Sequence, residues 1–399
     1  MTGADPPKLR GRLGVFLSIC AFSFLVNLGR VAFAPLVDYF IRTGVSPATA
    51  GLAATAVWVG SALPRLPTGY LLTVVSRHRT ILGMGVFLVA AAAFTALSPT
   101  IWVTVAGALL VGLATGVFYI AANPLVSELY PEKVGIAVGL RGMASQIAAV
   151  AAPFAVATAI ALGSWRVTFW SIAAATLVVT LAFGLAVRRA ELPDAGAEDR
   201  DLIGGIRAQW RLVLAGIVFV GFTGFVWQGV FNFYVTYLDA AKGISTGTAN
   251  TLLTVTFAAG VPSFIVAGRL ADRFSYLSLL PAILGGFAVT LFALTVVQGV
   301  AAVAAVSIVM SLVIHGLFPA ADAYLLDTLP DASRASAYAG YSATMMLIQA
   351  PGSVAVGVFA ERGIAYSGVF QGYAVVVAVT CVGMAVLARA GRLPKGGDS

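Results

Sequence analysis

The chain has 399 residues, 60% of them hydrophobic and only 10% charged, with a mean hydropathy of +0.96. A water-soluble core cannot use that much apolar surface, so the composition excludes an ordinary soluble enzyme and describes an all-α protein that crosses a membrane many times. Two cysteines imply no disulfide framework, and two histidines are too few for a histidine-based metal centre, so neither metal nor cofactor is expected.

A bilayer core needs about 20 apolar residues per helix. On that measure twelve spans are expected, at about 13–40, 47–74, 80–98, 100–127, 134–162, 166–188, 210–239, 246–271, 277–298, 300–328, 334–360 and 366–388. The N-terminal MTGADPPKLRGR carries no cleavage-site pattern, so the run after it reads as a retained first span. The long polar connector, residues 189–209, divides the chain into six-helix bundles at 1–188 and 210–399. Of the 24 Lys and Arg residues, 17 fall on one set of loops and termini, and only Arg42, Arg166, Lys242 and Arg362 on the opposite set. That asymmetry places both termini in the cytoplasm of a multi-pass plasma-membrane protein, expected to act as a monomer. It also makes the net charge of +8 topological, which argues against nucleic acid as a partner.

The halves read as copies. Gly69 and Gly268 are 199 residues apart, as are Glu128 and Asp327, and Pro131 and Pro330. The same offset aligns TGVSPATAGLAAT (43–55) with KGISTGTANTLLT (242–254). Six helices per copy give both copies the same orientation, hence two pseudo-symmetric bundles about an axis along the membrane normal.

These residues resemble the major facilitator superfamily. Its Gly-x-x-x-Asp-Arg loop stands in the second half as Gly268 to Asp272 and Arg273, while in the first half Thr73 and Val74 replace the Asp and Arg after Gly69. Glu128-x-x-Pro131, and Asp327-x-x-Pro330 with Arg334, are similar to the family's next inner loop. The resemblance implies alternating access, in which Gly69, Gly268, Asp272, Arg273, Glu128, Asp327 and Arg334 act as a conformational lock. With Thr73 unable to carry charge, that lock is expected to be stronger in the second half.

Inside the spans, ionisable groups are few and divided by sign. Arg30, Arg65 and Arg141 lie in first-half spans, and His315 and Asp322 in the tenth span. An arginine at a helix centre costs about 2.5–3.5 kcal/mol on insertion scales, so such residues face a cavity or a partner. Arg65 lies about 12 Å from its helix end at 1.5 Å per residue, a depth that Arg141 matches, and the two together can chelate an anion. Snorkelling is the bland alternative for Arg65, and a pair with Glu128 the alternative for Arg141. Asn27 sits one turn below Arg30, and Tyr119, Asn123, Gln228 and Asn232 add polar lining. His315, Pro319 and Asp322 recur on one helical face, where Asp322 or His315 can couple proton movement. Trp227, Phe231 and Tyr234 form an aromatic stripe at helical spacing, which by itself marks packing.

The expected function is secondary active transport of a small anion, an inorganic oxyanion or an organic carboxylate, with proton coupling. Arg65-Leu66-Pro67-Thr68-Gly69 is similar to the arginine-bearing helix of nitrate/nitrite and cyanate-type porters. Their second arginine is replaced here by Phe264, and their glycine-rich nitrate signatures are missing. A multidrug or cation efflux antiporter is the second reading, and it lacks its deep first-half acid. A non-transporting sensor or scaffold is the reading of another class. An enzyme would need a nucleophile or acid–base constellation that the sequence does not show.

Overall fold

The computed structural model describes residues 9–190, 192, 207, 210–271, 273–329 and 331–393. Asp272, most of the linker 189–209, and the side chains of Asp327 and Arg334 lie outside the described residues. In the first half, α1 (Leu9–Val31) and α2 (Phe33–Arg42) form one broken span, as do α3 (Pro47–Ala62) and α4 (Arg65–Val74). Four spans follow: α5 (Arg77–Ala96), α6 (Ile101–Leu129), α7 (Val134–Ala161) and α8 (Arg166–Arg188). The second half opens with α9 (Trp210–Gly216), a π-helical turn (Ile217–Gly221), α10 (Phe222–Asn232) and α11 (Tyr234–Lys242), together one span. Then come α12 (Thr246–Ala271), α13 (Tyr276–Val296), α14 (Val300–Ile314) with α15 (Leu317–Thr328), α16 (Asp331–Gln349) with α17 (Gly352–Glu361), and α18 (Tyr366–Arg389). Ten of these spans are long and apolar enough by themselves to cross a membrane. The other two, α3–α4 and α12, occupy equivalent places in the two copies, which makes twelve transmembrane spans in two bundles.

The repeat is visible in the turns. Gly44 and Gly243, 199 residues apart, both have positive φ (92° and 64°), a conformation that glycine adopts without a Cβ clash. Two residues on, the Ser46 hydroxyl accepts from the Thr49 amide at 3.3 Å and the Ser245 hydroxyl from the Thr248 amide at 3.4 Å. Each is an N-cap worth about 1 kcal/mol that starts α3 or α12 at the same register.

Proline explains most of the breaks inside spans. A proline leaves the carbonyl four residues earlier without its amide partner and clashes with it. Pro35 acts in this way on Val31, Pro67 on Leu63 and Pro319 on His315, and the helix is interrupted at or next to each of those positions. Pro124, Pro153, Pro262 and Pro281 sit inside unbroken helices, so proline permits a break and the surrounding packing decides it.

Within the first half α1 packs on α7 and α5 on α8; in the second, α10 packs on α17 and α13 on α18, the same pairings in each copy. Between the halves α3 faces α17 and α7 faces α12, again a pseudo-symmetric pair. Many large apolar side chains remain exposed on the outer surfaces, among them Val86, Leu177, Leu181, Val289, Val375 and Val379, as a lipid-facing shell requires.

With twelve spans both chain ends emerge on one face, the termini face. At the opposite, far face the halves are tied together. Arg42 Nη2 lies 2.7 Å from Asp239 Oδ2 across the boundary, while its Nε holds Asp38 at 2.9 Å within the first half. Glu361 accepts from the Ala48 amide at 2.9 Å, and the Val354 amide donates to Thr55 Oγ1 at 3.2 Å. The helices approach closely here: a Cβ on Gly51 would lie 2.6 Å from the Ser353 carbonyl oxygen. Towards the termini face the inter-helix boundary loosens, with Tyr70 and Val74 of α4 over 70% exposed and open space beside Gly69. The far face is therefore the closed one.

Both Arg42 and Asp239 are partly solvent-exposed, and such a pair is worth about 0.2–1 kcal/mol. Asp239→Ala should therefore shift the closed-to-open ratio of the far face by no more than about five-fold. Spin labels at Thr43 and Ala241 should gain a longer-distance component in this variant, and an unchanged distribution would remove the pair from the clamp. A second ion pair, Arg77 with Glu128, joins α5 to α6 inside the first half, with the Arg77 side chain 10% exposed. Arg77→Ala should cost about 1–3 kcal/mol in thermal unfolding, with Glu128→Ala adding little in that background. Additive effects would show that the two residues act independently.

Candidate functional site

Arg30 sits in the last turn of α1, just before the break at Ala32. The C-terminal end of a helix favours positive charge in its last turn. Its Nη2 donates to Asn27 Oδ1 at 2.5 Å, and Asn27 Nδ2 donates to the Ser145 carbonyl of α7 at 2.6 Å. The guanidinium lies over the Trp58 ring of α3 at 4.2 Å from its centroid, and 5.6 Å from that of Tyr119 on α6. Such cation–π contacts supply about 0.5–2 kcal/mol and hold the charge without neutralising it. Arg141 of α7 lies 5.2 Å from the same Tyr119 ring, whose hydroxyl is 3.0 Å from Ser145 Oγ. Tyr119 is thus shared by Arg30 and Arg141, and Nε of Arg30 and both Nε and Nη1 of Arg141 are buried without a hydrogen-bond partner.

Arg65 opens α4, immediately after the break at Leu63 and Pro64. It does not snorkel to the termini face. Its Nε donates to the Ser61 carbonyl at 3.3 Å, and its Nη1 reaches across the boundary to Ser342 Oγ of α16 at 2.5 Å. It also lies within electrostatic range of Arg30 and of Asp322 on α15, whose carboxylate has the Tyr338 hydroxyl of α16 as its hydrogen-bond partner. Arg65 therefore groups with Arg30, Tyr119 and Asp322, while Arg30 and Arg141 share the Tyr119 ring. Among the described residues, no carboxylate lies within ion-pair distance of Arg30, Arg65 or Arg141.

The second half meets this cluster with rings. Trp58 contacts Phe231 of α10 across the boundary at 6.3 Å between centroids, edge to face. Phe231 in turn contacts Trp227 and Phe257, both of which contact the His315 ring. His315 occupies the break between α14 and α15, with Nδ1 3.0 Å from both the hydroxyl and the carbonyl oxygen of Ser311. That break lies between it and Asp322 on α15. Gln228 and Asn232 are buried, with Asn232 Nδ2 donating to Ser353 Oγ at 2.8 Å and Ser353 donating to the Gln228 carbonyl at 3.1 Å. Their polar capacity ties α10 to α17. Asn123 is exposed on α6, one turn beyond Tyr119.

Of the lock residues, Glu128 pairs with Arg77 and not with Arg141. Arg77 thus gives the first half an internal staple beside its worn loop. Arg273 is exposed in the turn after α12. Sequence reading passed over Ser145, Tyr338 and Ser342 as partners of the charged groups. Only the helical spacing of Ser145 from Arg141 gave a signal, since the other contacts join distant segments.

Chemically, the arrangement presents uncompensated guanidinium charge on one side of a cleft and aromatic edges on the other, with one carboxyl group near the boundary. Among the described residues no group of His, Cys, Asp or Glu could hold a metal ion. A small apolar cavity lies elsewhere, between Phe219 of the π turn, Leu284 of α13, Leu317 of α15 and Met384 of α18, with no charged lining.

Solved structures with the same architecture are numerous. A bacterial homolog of the human lysosomal transporter Spinster, inward-facing and unoccupied, superposes with a TM-score of 0.71 at 16% identity, covering 97% of this chain and 96% of its own. A mutant of the nucleoside transporter NupG gives 0.78 at 14% identity, covering 93% and 99%. The xylose transporter XylE from E. coli, in an inward-open conformation, gives 0.73 at 14% identity, covering 94% and 95%. At such identities the likeness is one of fold. No curated protein sequence matches the chain. The sequence profile of the Major Facilitator Superfamily matches residues 19–245 and 217–398, which together span both bundles. With twelve helices in two pseudo-symmetric bundles and a polar cluster at their boundary, the chain belongs to the Major Facilitator Superfamily of transporters.

Proposed function

We propose that the protein is a secondary active transporter of a small anion, working by alternating access in the plasma membrane with both termini cytoplasmic. One observation carries this reading: among the described residues, three guanidiniums lie inside first-half spans with no carboxylate at ion-pair distance, two of them with buried donors unused. Holding such charge in a membrane protein is costly unless a partner of opposite sign arrives. Guanidinium donors suit the flat geometry of carboxylate or oxyanion groups. With the termini face taken as cytoplasmic, closure at Arg42–Asp239 makes the structure inward-facing, and the anion site opens toward the cytoplasm. The chain acts as a monomer in this reading, with the clefts between its own halves forming the whole pathway. The lock residues Gly69, Gly268, Asp272, Arg273, Glu128, Asp327 and Arg334 bias the two states without touching the anion.

Asp322 is the coupling group in this scheme. An ionised Asp322 and an incoming anion compete for the field of Arg65, so anion entry goes together with a proton on Asp322. The Tyr338 hydroxyl holds the carboxyl in place for this exchange. His315, enclosed by Trp227 and Phe257, is the second candidate for coupling.

In proteoliposomes, a panel of anions should show saturable flux for at least one member, and Arg30→Gln should reduce that flux at least 100-fold while size-exclusion behaviour is kept. Flux of none of them alongside saturable uptake of a lipophilic cation would sink the anion reading. Asp322→Asn should abolish accumulation driven by a pH gradient but preserve downhill exchange of the same anion. Intact pH-driven accumulation would remove Asp322 from coupling and leave His315.

A further inference from the structure

The two walls of the cleft differ in kind, and the difference bears on what kind of anion fits. The repeat offset of 199 residues sets each first-half residue against a second-half counterpart. Arg30 corresponds to Gly229, Arg141 to Gly340 and Trp58 to Phe257. The positive charge of one wall is therefore absent from the other, while the aromatic ring is kept. Facing the guanidiniums across Trp58 stand Phe231, Trp227 and Phe257, each no more than 7% exposed. On that side the Asn232 amide already donates to Ser353 Oγ and to the main-chain and side-chain carbonyls of Gln228.

An inorganic oxyanion presents acceptor oxygens in every direction, and those turned toward Phe231, Trp227 and Phe257 would meet ring surface. Leaving such oxygens desolvated without donors is unfavourable. An organic carboxylate concentrates its oxygens at one end. Placed with that end on the unpartnered Nε of Arg30 and the Nε and Nη1 of Arg141, it would turn its other end to the rings. Arg141 is 7% exposed, so these donors are held away from bulk water. The spacing along the line is short: 4.2 Å from the Arg30 guanidinium to Trp58, then 6.3 Å from Trp58 to Phe231. These are contact distances, so apolar ring surface begins directly beside the guanidiniums and suits an apolar body better than a polar one.

We infer that the substrate is an organic monocarboxylate with a compact apolar body, its carboxylate held by Arg30 and Arg141 and its body set against Trp58 and Phe231. This rests on the anion reading above and narrows it. Because Trp58 and Phe231 come from opposite halves, the body of the substrate touches both, and its binding is sensitive to how the halves are set against each other. A bare oxyanion on the arginines would touch the first half alone.

The test is calorimetric binding to the purified full chain, using benzoate, hexanoate, nitrate, sulfate and the neutral isostere benzamide as probes. Benzoate and hexanoate should bind at least ten-fold more tightly than nitrate, sulfate or benzamide. Phe231→Asn should weaken benzoate at least ten-fold, and Phe231→Leu, which keeps an apolar wall, should restore most of the affinity and guard against a folding artefact. Nitrate or sulfate binding as tightly as benzoate would overturn the inference and leave the anion reading standing. Benzamide binding as tightly as benzoate, or no anion binding with a lipophilic cation bound instead, would overturn both.

Discussion

The placement of Arg30 over Trp58 is the contact on which the rest of the site depends. A guanidinium near the middle of a membrane span has to be stabilised without being cancelled if it is to serve a ligand. The ring face and the Asn27 carbonyl do the first, since both present negative potential and neither carries a charge. The end of α1 adds negative potential of its own, since Pro35 leaves the Val31 carbonyl without its amide partner. A carboxylate in place of Asn27 would form a closed salt bridge and remove the reason for an anion to enter. The Ser145 main-chain carbonyl then fixes Asn27 from α7, so helix break, side-chain amide and backbone carbonyl all serve one cation.

Pseudo-symmetry supplies the scaffold against which this asymmetry is visible. The turns at Gly44 and Gly243, the caps at Ser46 and Ser245, and the α3–α17 and α7–α12 crossings repeat across the molecule. Such features are demanded by backbone geometry and are therefore kept in both copies. Charge is not demanded by the fold, and it has separated: guanidiniums on one side, rings and one carboxyl group on the other. A binding site at the boundary of two copies acquires polarity only by divergence between them. The glycines at 229 and 340 mark where that divergence lies, opposite Arg30 and Arg141.

Much of this was legible in the sequence, and the reasons divide cleanly. Span positions follow from apolar length, the repeat from a constant offset, and the Arg30–Asn27 contact from helical spacing; all are local in sequence or carried by a pattern. The break at His315 was readable in principle, because Pro319 sits four residues after it, yet Pro262 and Pro281 show that the same residue type leaves other helices whole. Contacts between distant segments had no local signature. Nothing in residues 61–79 points to Ser342, and nothing in the basic cluster at Arg77 distinguishes a loop charge from the partner of Glu128. The worn Gly69 loop was visible as a loss, but its replacement by an internal staple belongs to the three-dimensional fold.

The strengths of these contacts also fit a molecule that has to move. Arg77 and Glu128 join helices of one half and lie largely out of water, so they hold a bundle rigid whichever way the halves rock. The ties between halves at the far face are an exposed ion pair, a carboxylate on one amide and a threonine hydroxyl on another. Each is a weak tie at a solvent-facing surface, so together they bias closure without fixing it. A ligand shifts such an equilibrium only by its differential affinity for the two states. A body in contact with both Trp58 and Phe231 has that differential built in, because its two contacts move apart when the halves do. On the proposed reading, the aromatic pair that recognises the substrate is therefore also the means by which substrate reports its presence to the clamp at Arg42.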